Sequence, residues 1–525
     1  MLTVISRFLL ASLTMDEILA EMTIHHRSQA LHRMSSGLGL RDVYNTTLNR
    51  IRQQSGSKPN FGMQALMWIS HCERPLKSEE LCHALGVELG IEDFKIHNVP
   101  SIRSILGCTL GLVTIDENTS TLHLLHHSLQ EYLGQHPTLF ITPHSLMAEI
   151  CLTYLNFFPQ GNTALATLSF LEYATCFWGT HAAREVTEPV QSLSLRLLEA
   201  YENHGSATIL WQKKICKWYW EQDVCGISGL HCIAFWGIAE IGAAMLETKR
   251  WDVNRRDSRG DTPLIWALKY GNDIIAKLFL EQRDIEPDTV AQHGRTAFSF
   301  AAEWGNEGIV KLLLERVDVN PNSSDNDGRT PLSFAVRNNH EGVVKLLLER
   351  GDVDPNSLEN DGRTPLSFAV RGRHEGVVKL LLERGDIDPN PSENGRTPLS
   401  IAAESGDKST VKLLLERGDV DPNSLDNSGR TPISFAVRGR HEGVVKLLLE
   451  RGDIDPNPSE NGRTPLSIAA ELGDERTVKL LLERGDVDPN SLDNDGRTPL
   501  SFAASRRHGG VMKLLLECGH IDPNL

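Results

Sequence analysis

In the C-terminal half of the chain, apolar residues recur at helical spacing in pairs of short segments that are separated by polar loops. In one such pair, Leu332, Phe334 and Ala335 mark the buried side of a first helix, and residues 343–350 (VVKLLLER) place valines and leucines on one face of a second. Residues 352–362 hold too many Asp, Asn, Pro and Gly residues to continue a helix. The pattern therefore predicts packed pairs of helices joined by extended loops.

The paired segments repeat at a nearly constant step. Each clear copy has a threonine that can cap free N–H groups of the first helix, usually followed by a proline, which the first helical turn tolerates. These threonines are Thr262, Thr296, Thr330, Thr364, Thr397, Thr431, Thr464 and Thr498. Their steps are 33 or 34 residues, which is typical of a stacked solenoid of helical hairpins. A more divergent copy begins at Ser228, so nine units are predicted.

Glycine positions in the units predict where the backbone turns. Gly351 follows a second helix and is expected to end it in the left-handed region, which costs glycine little. The position between the two helices is either Gly271, Gly305, Gly406 and Gly473, or, in the other units, Asn339, Arg373, Arg440 and Arg507. Arginine is expected to be strained at this position unless the preceding Gly372 or Gly439 absorbs the turn.

The unit GRTPLSFAVRxxHEGVVKLLLERGDVDPN resembles the ankyrin repeat, and the resemblance covers residues 228–525 in register. The resemblance implies a protein-binding surface made of loop tips and inner helices. The family's TPLH motif is changed here, because its histidine is replaced by Ser333, Ser367, Ser400, Ser434, Ser467 and Ser501. A smaller hydroxyl must then replace the hydrogen bonds that the resemblance implies for the histidine.

A longer duplication lies within the array. Residues 364–430 and 431–497 are each 67 residues long and differ at five positions, four of which fall at helix–helix turns or a loop tip. Two explanations are open for these differences. Exposed positions change without selection, or the substitutions adapt a binding surface to its partner.

Within the duplication, the turn after the first helix alternates in charge. Basic turns hold Arg371, Arg373, Arg438 and Arg440, and acidic turns hold Glu404, Asp407, Glu471 and Asp474. Neighbouring turns either pair with each other, which stabilises the stack by about 0–1 kcal/mol per exposed ion pair, or select a charge-complementary partner. The residues predicted to bind a protein partner are these eight together with Arg337, Asn338, Asn326, Asp327, Asn360 and Asp361.

The N-terminal half has a different pattern and lacks the repeat. Helices are predicted at residues 61–72, at 78–89 with Ser78 as the cap, and at 100–108, followed by strands at 112–115 and 121–125 and a further helix. Three helices and a hairpin predict a winged helix. The predicted fold class is mainly α, with a helical tail at 1–57, the winged helix at 58–140, a helical linker at 141–227 and ankyrin repeats at 228–525.

Several N-terminal segments, among them ALMWISHCERPLKSEELCHALGVELG, SIRSILGCTLGLVTID and LEYATCFWGTHAARE, resemble the region that follows the nucleotide-binding core of fungal NACHT–ankyrin receptors of the NLR-like class. The same winged helix occurs in proteins described as GPI inositol-deacylase-like, and residues 1–57 resemble the helical tail of a NACHT module. The resemblance implies an array that senses a ligand and an N-terminal half that relays or tethers. The chain has neither a GxxxxGK[ST] phosphate loop nor a GxSxG motif, so neither ATP hydrolysis nor hydrolase activity is expected.

The favoured function is a protein-binding scaffold or receptor fragment. One alternative is a truncated gene model of a signalling NTPase that acts in innate immunity or incompatibility. The other is a nucleic-acid binder that acts through its winged helix. The formal net charge of −16 disfavours nucleic acid, because non-specific affinity for phosphates comes mainly from clustered Lys and Arg.

The cysteines and the apolar stretches indicate where the protein is located. Nine scattered cysteines without a CxxC pair indicate reduced thiols and a cytoplasmic or nuclear location. No stretch reaches the ~18 apolar residues that span a bilayer, and residues 8–15 predict a buried helix, with a signal peptide as the alternative. Trp211 and the aromatic residues at 218–220 are expected to pack against the divergent first repeat.

No residue set predicts catalysis. His123, His126 and His127 have no nearby pattern that completes a metal site, and five Arg-Gly-Asp copies are interpreted as helix ends rather than adhesion motifs. No paired carboxylates and no Ser, His and Asp set stand out. The chain is therefore predicted to be no enzyme, to need no cofactor or metal, and to have other proteins, not membranes or small molecules, as partners.

Overall fold

The computed structural model describes residues 23–25, 28, 40–91, 94–157, 169–199, 201–215, 226–392, 395–457 and 462–519. The helix predicted at residues 8–15 and the aromatic residues at 218–220 lie outside this described part. The chain divides into two compact units, residues 1–279 and residues 280–525.

The first unit is mainly helical. Its helices are α1 (Leu40–Arg52), α2 (Lys58–His71), α3 (Ser78–Leu85), α4 (Ile102–Cys108), α5 (His127–Gly134), α6 (Pro143–Asn156), α7 (Leu171–Ala182), α8 (Glu188–Glu199), α9 (Gly205–Leu210), α10 (Gly229–Trp236), α11 (Ala239–Glu247), α12 (Pro263–Lys269) and α13 (Asp273–Leu280). A π-helical turn at Trp211–Ile215 continues α9, and 3-10 turns lie at Ile96–Asn98, Pro137–Leu139 and Tyr201–Asn203. Among the described residues of this unit, the strands are β1 (Val113–Ile115) and β2 (Leu122–Leu124).

The hairpin follows the third helix, as predicted. Strands β1 and β2 pair antiparallel, with Val113 opposite Leu124 and Ile115 opposite Leu122. An isolated bridge between Lys77 and Thr121 adds an extended segment between α2 and α3. The helices predicted at 61–72 and 100–108 are confirmed by α2 and α4, whereas the helix predicted at 78–89 is shorter because α3 ends at Leu85.

Ser78 is not the cap of α3, contrary to the prediction. The residue before the helix is Lys77, whose backbone N–H donates to the Glu80 carboxylate at 2.8 Å. Glu80 also accepts two hydrogen bonds from the Arg74 guanidinium, at 2.6 and 2.8 Å. The carboxylate of the third helical residue therefore fixes the start of α3, and Ser78 is the first helical residue.

The divergent first repeat, α10 and α11, packs on the preceding helices of the same unit. A Cβ atom on Gly229 would lie 2.7 Å from the Leu198 carbonyl oxygen, so α10 approaches the backbone of α8 closely. The rings of Trp178 and Trp236 lie 6.3 Å apart. Trp211 is buried, and its ring lies 6.4 Å from that of Trp266 in α12, which belongs to the second repeat. The helical segment before residue 228 and the first repeat therefore share one core.

The second unit consists of helix pairs. They are α14 (Ala297–Glu303) and α15 (Glu307–Leu314), α16 (Pro331–Arg337) and α17 (Glu341–Leu348), α18 (Pro365–Gly372) and α19 (Glu375–Leu382), α20 (Pro398–Ser405) and α21 (Lys408–Leu415), α22 (Pro432–Arg438) and α23 (Glu442–Leu449), α24 (Pro465–Leu472) and α25 (Glu475–Leu482), and α26 (Pro499–Arg506) and α27 (Gly509–Glu517). Buried valines and leucines of each second helix pack against its first helix, as Val343, Val344 and Leu347 do. Two further helix pairs, α10 with α11 and α12 with α13, follow residue 228 in the first compact unit. Together with the seven pairs of the second compact unit, they make the nine predicted repeats among the described residues.

Hydroxyl groups replace the missing histidine, as the TPLS motif implies. The Thr364 hydroxyl accepts from the Ser367 N–H at 3.3 Å, and the Ser367 hydroxyl accepts from the Thr364 N–H at 3.0 Å. The link to the next unit comes from the threonine, because Thr330 Oγ1 lies 3.2 Å from Ser357 Oγ. In the divergent repeat, His231 makes this link itself, with Nε2 at 3.0 Å from the Asp261 carbonyl oxygen.

The backbone takes positive φ between the two helices, as predicted, but not after the second helix, where Gly351 was expected to take it. The second helix of its unit ends at Leu348 with Glu349 in the right-handed region, and Gly351 is not among the residues of positive φ. The left-handed residues lie between the two helices, where Arg373 and Arg440 both have φ +57°. The preceding glycine does not absorb the turn, since Gly439 has φ −76°. The positions without glycine therefore take the strained conformation themselves.

A hydrogen bond to the next unit accompanies the strain at these arginines. Arg440 Nη2 donates to the Leu472 carbonyl oxygen at 2.6 Å, and Arg373 Nη2 donates to that of Ser405. These carbonyls lie at the ends of α24 and α20, where intrahelical partners are missing. The arginine side chain therefore offsets part of the backbone strain that its Cβ atom causes.

We expect Arg440→Ala to be less stable than Arg440→Gly by about 1 kcal/mol. Both variants lose the hydrogen bond to Leu472, but only alanine keeps a Cβ atom at positive φ. Lys446, an exposed residue inside α23, is the control, because there alanine should be more stable than glycine by about 1 kcal/mol. Chemical denaturation, monitored by circular dichroism, measures the stability of the alanine and glycine variants at both positions. It checks that glycine is the more stable at Arg440 and alanine the more stable at Lys446. The same order at both positions would contradict it.

None of the helices among the described residues has both the length and the apolar character needed to cross a lipid bilayer.

Candidate protein-binding surface

Two rows of residues in the second unit contain the predicted binding residues. The turn row consists of the turns between paired helices, at residues 337–340, 371–374, 404–407, 438–441 and 471–474. The finger loops are the segments that connect successive helix pairs, and their described residues are 317–329, 351–363, 385–392, 395–396, 418–430, 452–457, 462–463 and 485–497.

In the turn row, Arg337 is held by the next finger loop. Its Nε donates to Glu359 Oε1 at 3.1 Å, and its guanidinium carbon lies 3.7 Å from the centre of the Phe368 ring. The Glu359 side chain is 3% exposed, and its burial raises the pKa of that carboxyl although the Arg337 guanidinium opposes the rise. The exposed Asn338 side chain donates to the Phe334 carbonyl oxygen at 3.0 Å. Arg337 therefore belongs to a half-buried ion pair, and Asn338 caps its helix.

The basic turns are exposed. Arg371, Arg373, Arg438 and Arg440 all have exposed side chains. The guanidinium groups of Arg373 and Arg440 are directed along the row by the hydrogen bonds to Ser405 and Leu472. Cationic groups in fixed positions along one edge can orient an acidic partner.

The acidic turns are neutralised mainly within their own unit. Glu404 pairs with Arg396, and Glu471 pairs with Arg463. Glu471 also accepts from Arg506 of the next unit at 3.0 Å. Burial works to raise the pKa of Glu471, but these arginines outweigh it and keep the pKa below its usual value. Glu471 is therefore paired both inside its own repeat and with Arg506, which lies beyond the duplication, and Glu404 is paired inside its own repeat.

The two aspartates of the acidic turns are helix caps. Asp407 accepts from the Thr410 N–H at 3.2 Å, and Asp474 accepts from the Thr477 N–H at 3.2 Å and from its hydroxyl at 2.7 Å. Capping carboxylates at a helix N-terminus stabilise the helix. Of the eight charged turn residues, the four acidic ones thus pair with arginines or cap helices, and the four arginines are exposed, as is Glu404.

The predicted tip residues connect successive finger loops. Asn360 donates its backbone N–H to the Asp327 carbonyl oxygen at 2.9 Å and its side chain to that of Asn326 at 2.8 Å. Asp361 pairs with Arg363 at 3.3 Å, and Asp327 pairs with Arg329. All four tip residues, Asn326, Asp327, Asn360 and Asp361, remain exposed. Their backbones are fixed by neighbouring loops, so their side chains are presented from ordered positions.

The Arg-Gly-Asp copies join successive units. Arg350 pairs with Asp352, and Arg384 pairs with Asp386 at 2.5 Å. Arg384 Nη1 also donates to the Leu348 carbonyl oxygen at 2.7 Å, at the end of the preceding unit's second helix. The hydrogen bond from its arginine lowers the pKa of Asp386. These motifs lie at helix ends, as predicted, and bridge one unit to the next.

Asparagines in five of the finger loops add a second link between successive repeats. Asn423 Nδ2 donates to the Asp453 carbonyl oxygen at 2.6 Å, and Asn423 Oδ1 accepts from the Asp455 N–H at 2.9 Å. The same pair of bonds is made by Asn356 to Asp386 and Asp388. The DPN motif is therefore a hydrogen-bonded ladder along the array.

We expect Asn423→Ala to destabilise the array by about 1–3 kcal/mol, because two backbone groups of the next unit lose their partner. Ser428→Asp is the control, since the duplicated unit has Asp495 at the equivalent position. Thermal and chemical denaturation of the full chain would measure both changes. An Asn423→Ala variant as stable as the control would show that water replaces the side chain without loss.

A family model described as ankyrin repeats (3 copies) matches the chain at residues 197–322, 275–358, 316–393, 351–426, 387–460 and 453–525. Together these segments cover more than half of the chain. The chain belongs to the ankyrin-repeat family. The match begins before residue 228, at which the sequence resemblance was placed.

Solved structures of two ankyrin repeat domains are similar to this ankyrin-repeat protein. The human ASB11 ankyrin repeat domain is 26% identical, with 43% of this chain and 98% of that chain covered and a TM-score of 0.37. The ankyrin repeat domain of Bcl-3, described as a unique member of the IkappaB protein family, is 30% identical, with 43% and 100% covered and a TM-score of 0.39. No curated protein gives a significant match to the chain.

Sequence reasoning missed a ladder of arginine and phenylalanine in the ankyrin array. The Phe435 ring has the guanidinium carbons of Arg396 and Arg430 at 4.6 and 4.7 Å from its centre. Phe502 has those of Arg463 and Arg497 at 4.7 and 4.8 Å. The available signal was the arginine before each Thr-Pro pair of the second unit, together with a phenylalanine in most of the first helices there. These guanidinium groups are thus shared between a ring and a carboxylate.

The three histidines singled out in the sequence lie near an open cavity of about 350 Å³ that is lined by Cys72, Arg74, His123, His126 and His127 among others. His126 caps α5, because its Nδ1 accepts from the Ser128 N–H at 3.2 Å. His123 Nε2 lies 2.8 Å from Thr121 Oγ1. In the part of the chain that the structure describes, no group of three or more His, Cys, Asp or Glu side chains is placed to hold a metal ion.

Proposed function

We propose that this chain is a protein-binding scaffold or receptor fragment whose ankyrin array recognises another protein through the turn row and the finger loops. The exposed arginines of the turn row carry the proposal, because hydrogen bonds to neighbouring units already hold two of them in place. A binding surface that is ordered before its partner arrives avoids part of the entropy cost of association. The proposal gives the chain no catalytic role and no cofactor.

The partner should carry acidic groups where it meets the turn row. Arg371, Arg373, Arg438 and Arg440 are exposed, while the acidic turn residues pair with Arg396 and Arg463 or cap helices. Charge complementarity of this kind raises association rates and sets orientation more than it raises affinity.

We propose further that the N-terminal residues tether or relay the binding event. Residues 58–140 run from helix through an extended bridge to two helices and a hairpin, which supports a winged helix of the kind that NACHT-associated regions contain. Inside the first unit, the first repeat shares a core with α7 and α8. A shift of that repeat would therefore displace α7 and α8, which pack against it.

The cytoplasm is the proposed location. Cys82, Cys108, Cys151, Cys176 and Cys232 are free thiols that are buried. Burial raises the pKa of the Cys82 and Cys176 thiols to about 11, so these groups stay protonated near neutral pH. This is the chemistry of structural thiols in a reducing compartment.

Charge reversal of the turn row tests the proposal. The full chain is used to capture its partner from extract of the native cells, the partner is purified, and its association rate is measured. Replacing Arg371, Arg373, Arg438 and Arg440 by Glu should slow association at least roughly tenfold at low salt, and added salt should reduce the difference.

A matched control separates the turn row from net charge. Lys345, Lys379, Lys412 and Lys446 lie exposed on the second helices, and their reversal to Glu changes the net charge by the same amount. We expect the control to associate nearly as fast as the parent chain. Equal slowing of both variants, or no slowing of either, would contradict a role for the turn row.

A further inference from the structure

Every second finger loop from residue 351 onward presents an exposed leucine. Leu358, Leu425 and Leu492 are 63%, 59% and 49% exposed. The other loops have serine at the equivalent position, as at Ser324 and Ser392. The leucines are therefore repeated with a period of two units, and the loops that carry them read SLENDGR, SLDNSGR and SLDNDGR.

The leucines are held outward by their neighbours in the chain. Before Leu358, the Ser357 hydroxyl lies 3.2 Å from Thr330 Oγ1 of the preceding unit. After it, Glu359 is buried and its backbone N–H donates to the Arg363 carbonyl oxygen at 2.9 Å. With an anchored residue on each side, the backbone at Leu358 is held in a conformation that leaves the side chain exposed.

The same arrangement holds the other two leucines. Ser424 Oγ lies 3.0 Å from Thr397 Oγ1, and Ser491 Oγ lies 3.1 Å from Thr464 Oγ1. Asp426 and Asp493, which follow the two leucines, are buried. The three leucines thus occupy equivalent positions. In the fingers that lie between them, proline replaces the bonded serine, as at Pro391.

Each leucine has an unneutralised carboxylate close by in the chain. Asp354, Asp421 and Asp488 lie four residues before the three leucines and are exposed. Their carboxylates accept the backbone N–H of the asparagine two residues later, at 2.9, 3.0 and 2.9 Å. Among the described residues, no arginine or lysine forms an ion pair with any of the three. Each of these fingers therefore offers an apolar side chain together with a negative charge.

We propose that Leu358, Leu425 and Leu492 are three equivalent contact points for a protein segment that combines apolar and basic side chains. The charge of the fingers selects the basic residues, and the leucines select the apolar ones. This inference rests on the proposed protein-binding function. It specifies the chemistry of the partner segment that contacts the finger loops. Because the points are equivalent and evenly spaced, a partner that repeats such a segment binds more tightly than one with a single copy, by avidity alone.

A short synthetic peptide of alternating lysine and leucine is the probe, and the full chain with labelled leucine methyl groups is the receptor. On titration, the methyl signals of Leu358, Leu425 and Leu492 should shift together with one apparent Kd. Each single variant, Leu358→Ser, Leu425→Ser or Leu492→Ser, should remove one of three binding equivalents. The triple variant should lose at least roughly tenfold in apparent affinity, because none of the three apolar contacts is left. Serine is the matched substitution, because the chain itself has serine in the intervening fingers.

Several outcomes would overturn the inference. Unchanged binding of the lysine–leucine peptide to the triple variant would do so, and so would equal binding of a glutamate–leucine peptide to the parent chain. Sedimentation that shows leucine-dependent dimers instead would mean that the leucines meet a second copy of the chain. None of these results touches the turn row, whose charge reversal tests the proposed function separately.

Discussion

Lowering the pH from 7 to 4 is expected to destabilise the α6–α7 region of the first unit by roughly 2–4 kcal/mol. Two histidines there are held neutral by their surroundings. His181 is 0% exposed, and burial lowers its pKa to about 3, with Arg184 and the protonated form of His144 opposing its ionisation further. Burial also lowers the pKa of His144 to about 4, with Arg184 and His71 adding to the effect.

The geometry does not allow both histidines to carry a second proton. His144 Nδ1 lies 3.0 Å from His181 Nδ1, so one of the two nitrogens must be unprotonated. The other side of the His181 ring lies 3.0 Å from the Tyr173 hydroxyl, and burial raises the pKa of that hydroxyl. Arg184 is within 3.4 Å of His144 and pairs with Glu73 at 2.6 Å. A proton on either ring would place a new cation beside an existing one.

The direction of the effect follows from the two states. An unfolded histidine has a pKa near 6.5, well above the folded values, so the unfolded chain binds more protons between these limits. Stability is therefore complete above about pH 6.5 and falls as the pH drops towards 3. His144 is half-buried, so water screens part of its contribution, and His181 accounts for most of the loss.

Hydrogen exchange of the full chain, corrected for the intrinsic pH dependence, measures this loss in the α6 and α7 segments. The double variant His144→Gln, His181→Gln keeps polar partners but removes both titrating groups, and its protection should vary much less with pH. His71, whose pKa burial also lowers, stays in place in both proteins. Equal pH dependence in the parent chain and the double variant would rule out the histidine pair as its source.

The repeats could be predicted from the sequence because every repeat has the same arrangement of capping, apolar and loop residues. A threonine caps a helix, apolar residues at helical spacing pack it against a second helix, and Asp, Asn and Pro end the pair. A single copy could be assigned to the wrong kind of element, but the same pattern in the other copies supports one assignment. The prediction was wrong at Gly351 because a glycine that follows a helix is not obliged to take positive φ. The left-handed residue was needed where the chain turns between helices, even at Arg373.

The binding surface was harder to predict, because its charges depend on contacts between units. The alternation of basic and acidic turns is visible in the sequence, but the pairing of Glu404 with Arg396 is not. Hydropathy also could not show that Leu358 is exposed, since an apolar residue in a polar loop can fold back onto the core. Only the serine link and the buried Glu359 explain why the loop leucine faces outward.

Gly179→Ala is expected to destabilise the first unit by about 1–3 kcal/mol, as overpacking of a filled core does. Gly179 lies in α7, and a Cβ atom there would be 2.3 Å from the Trp236 ring. The indole cannot move away freely, because the Lys214 ammonium lies 4.1 Å from the centre of that ring. Lys214 is itself fixed by the Cys176 carbonyl oxygen at 2.8 Å.

A second change should rescue the first if this contact is the cause. Trp236→Leu alone removes a large side chain and is destabilising, but it leaves room for the methyl group of Gly179→Ala. The double variant should therefore be more stable than the sum of the two single losses predicts, by about 1 kcal/mol or more. Gly107→Ala is the control, because that helical glycine has nothing within 4 Å of an added Cβ atom and no positive φ. Additive losses in the double variant would place the damage elsewhere in α7. A measured coupling would show instead that the helices before residue 228 and the first ankyrin repeat fold against each other.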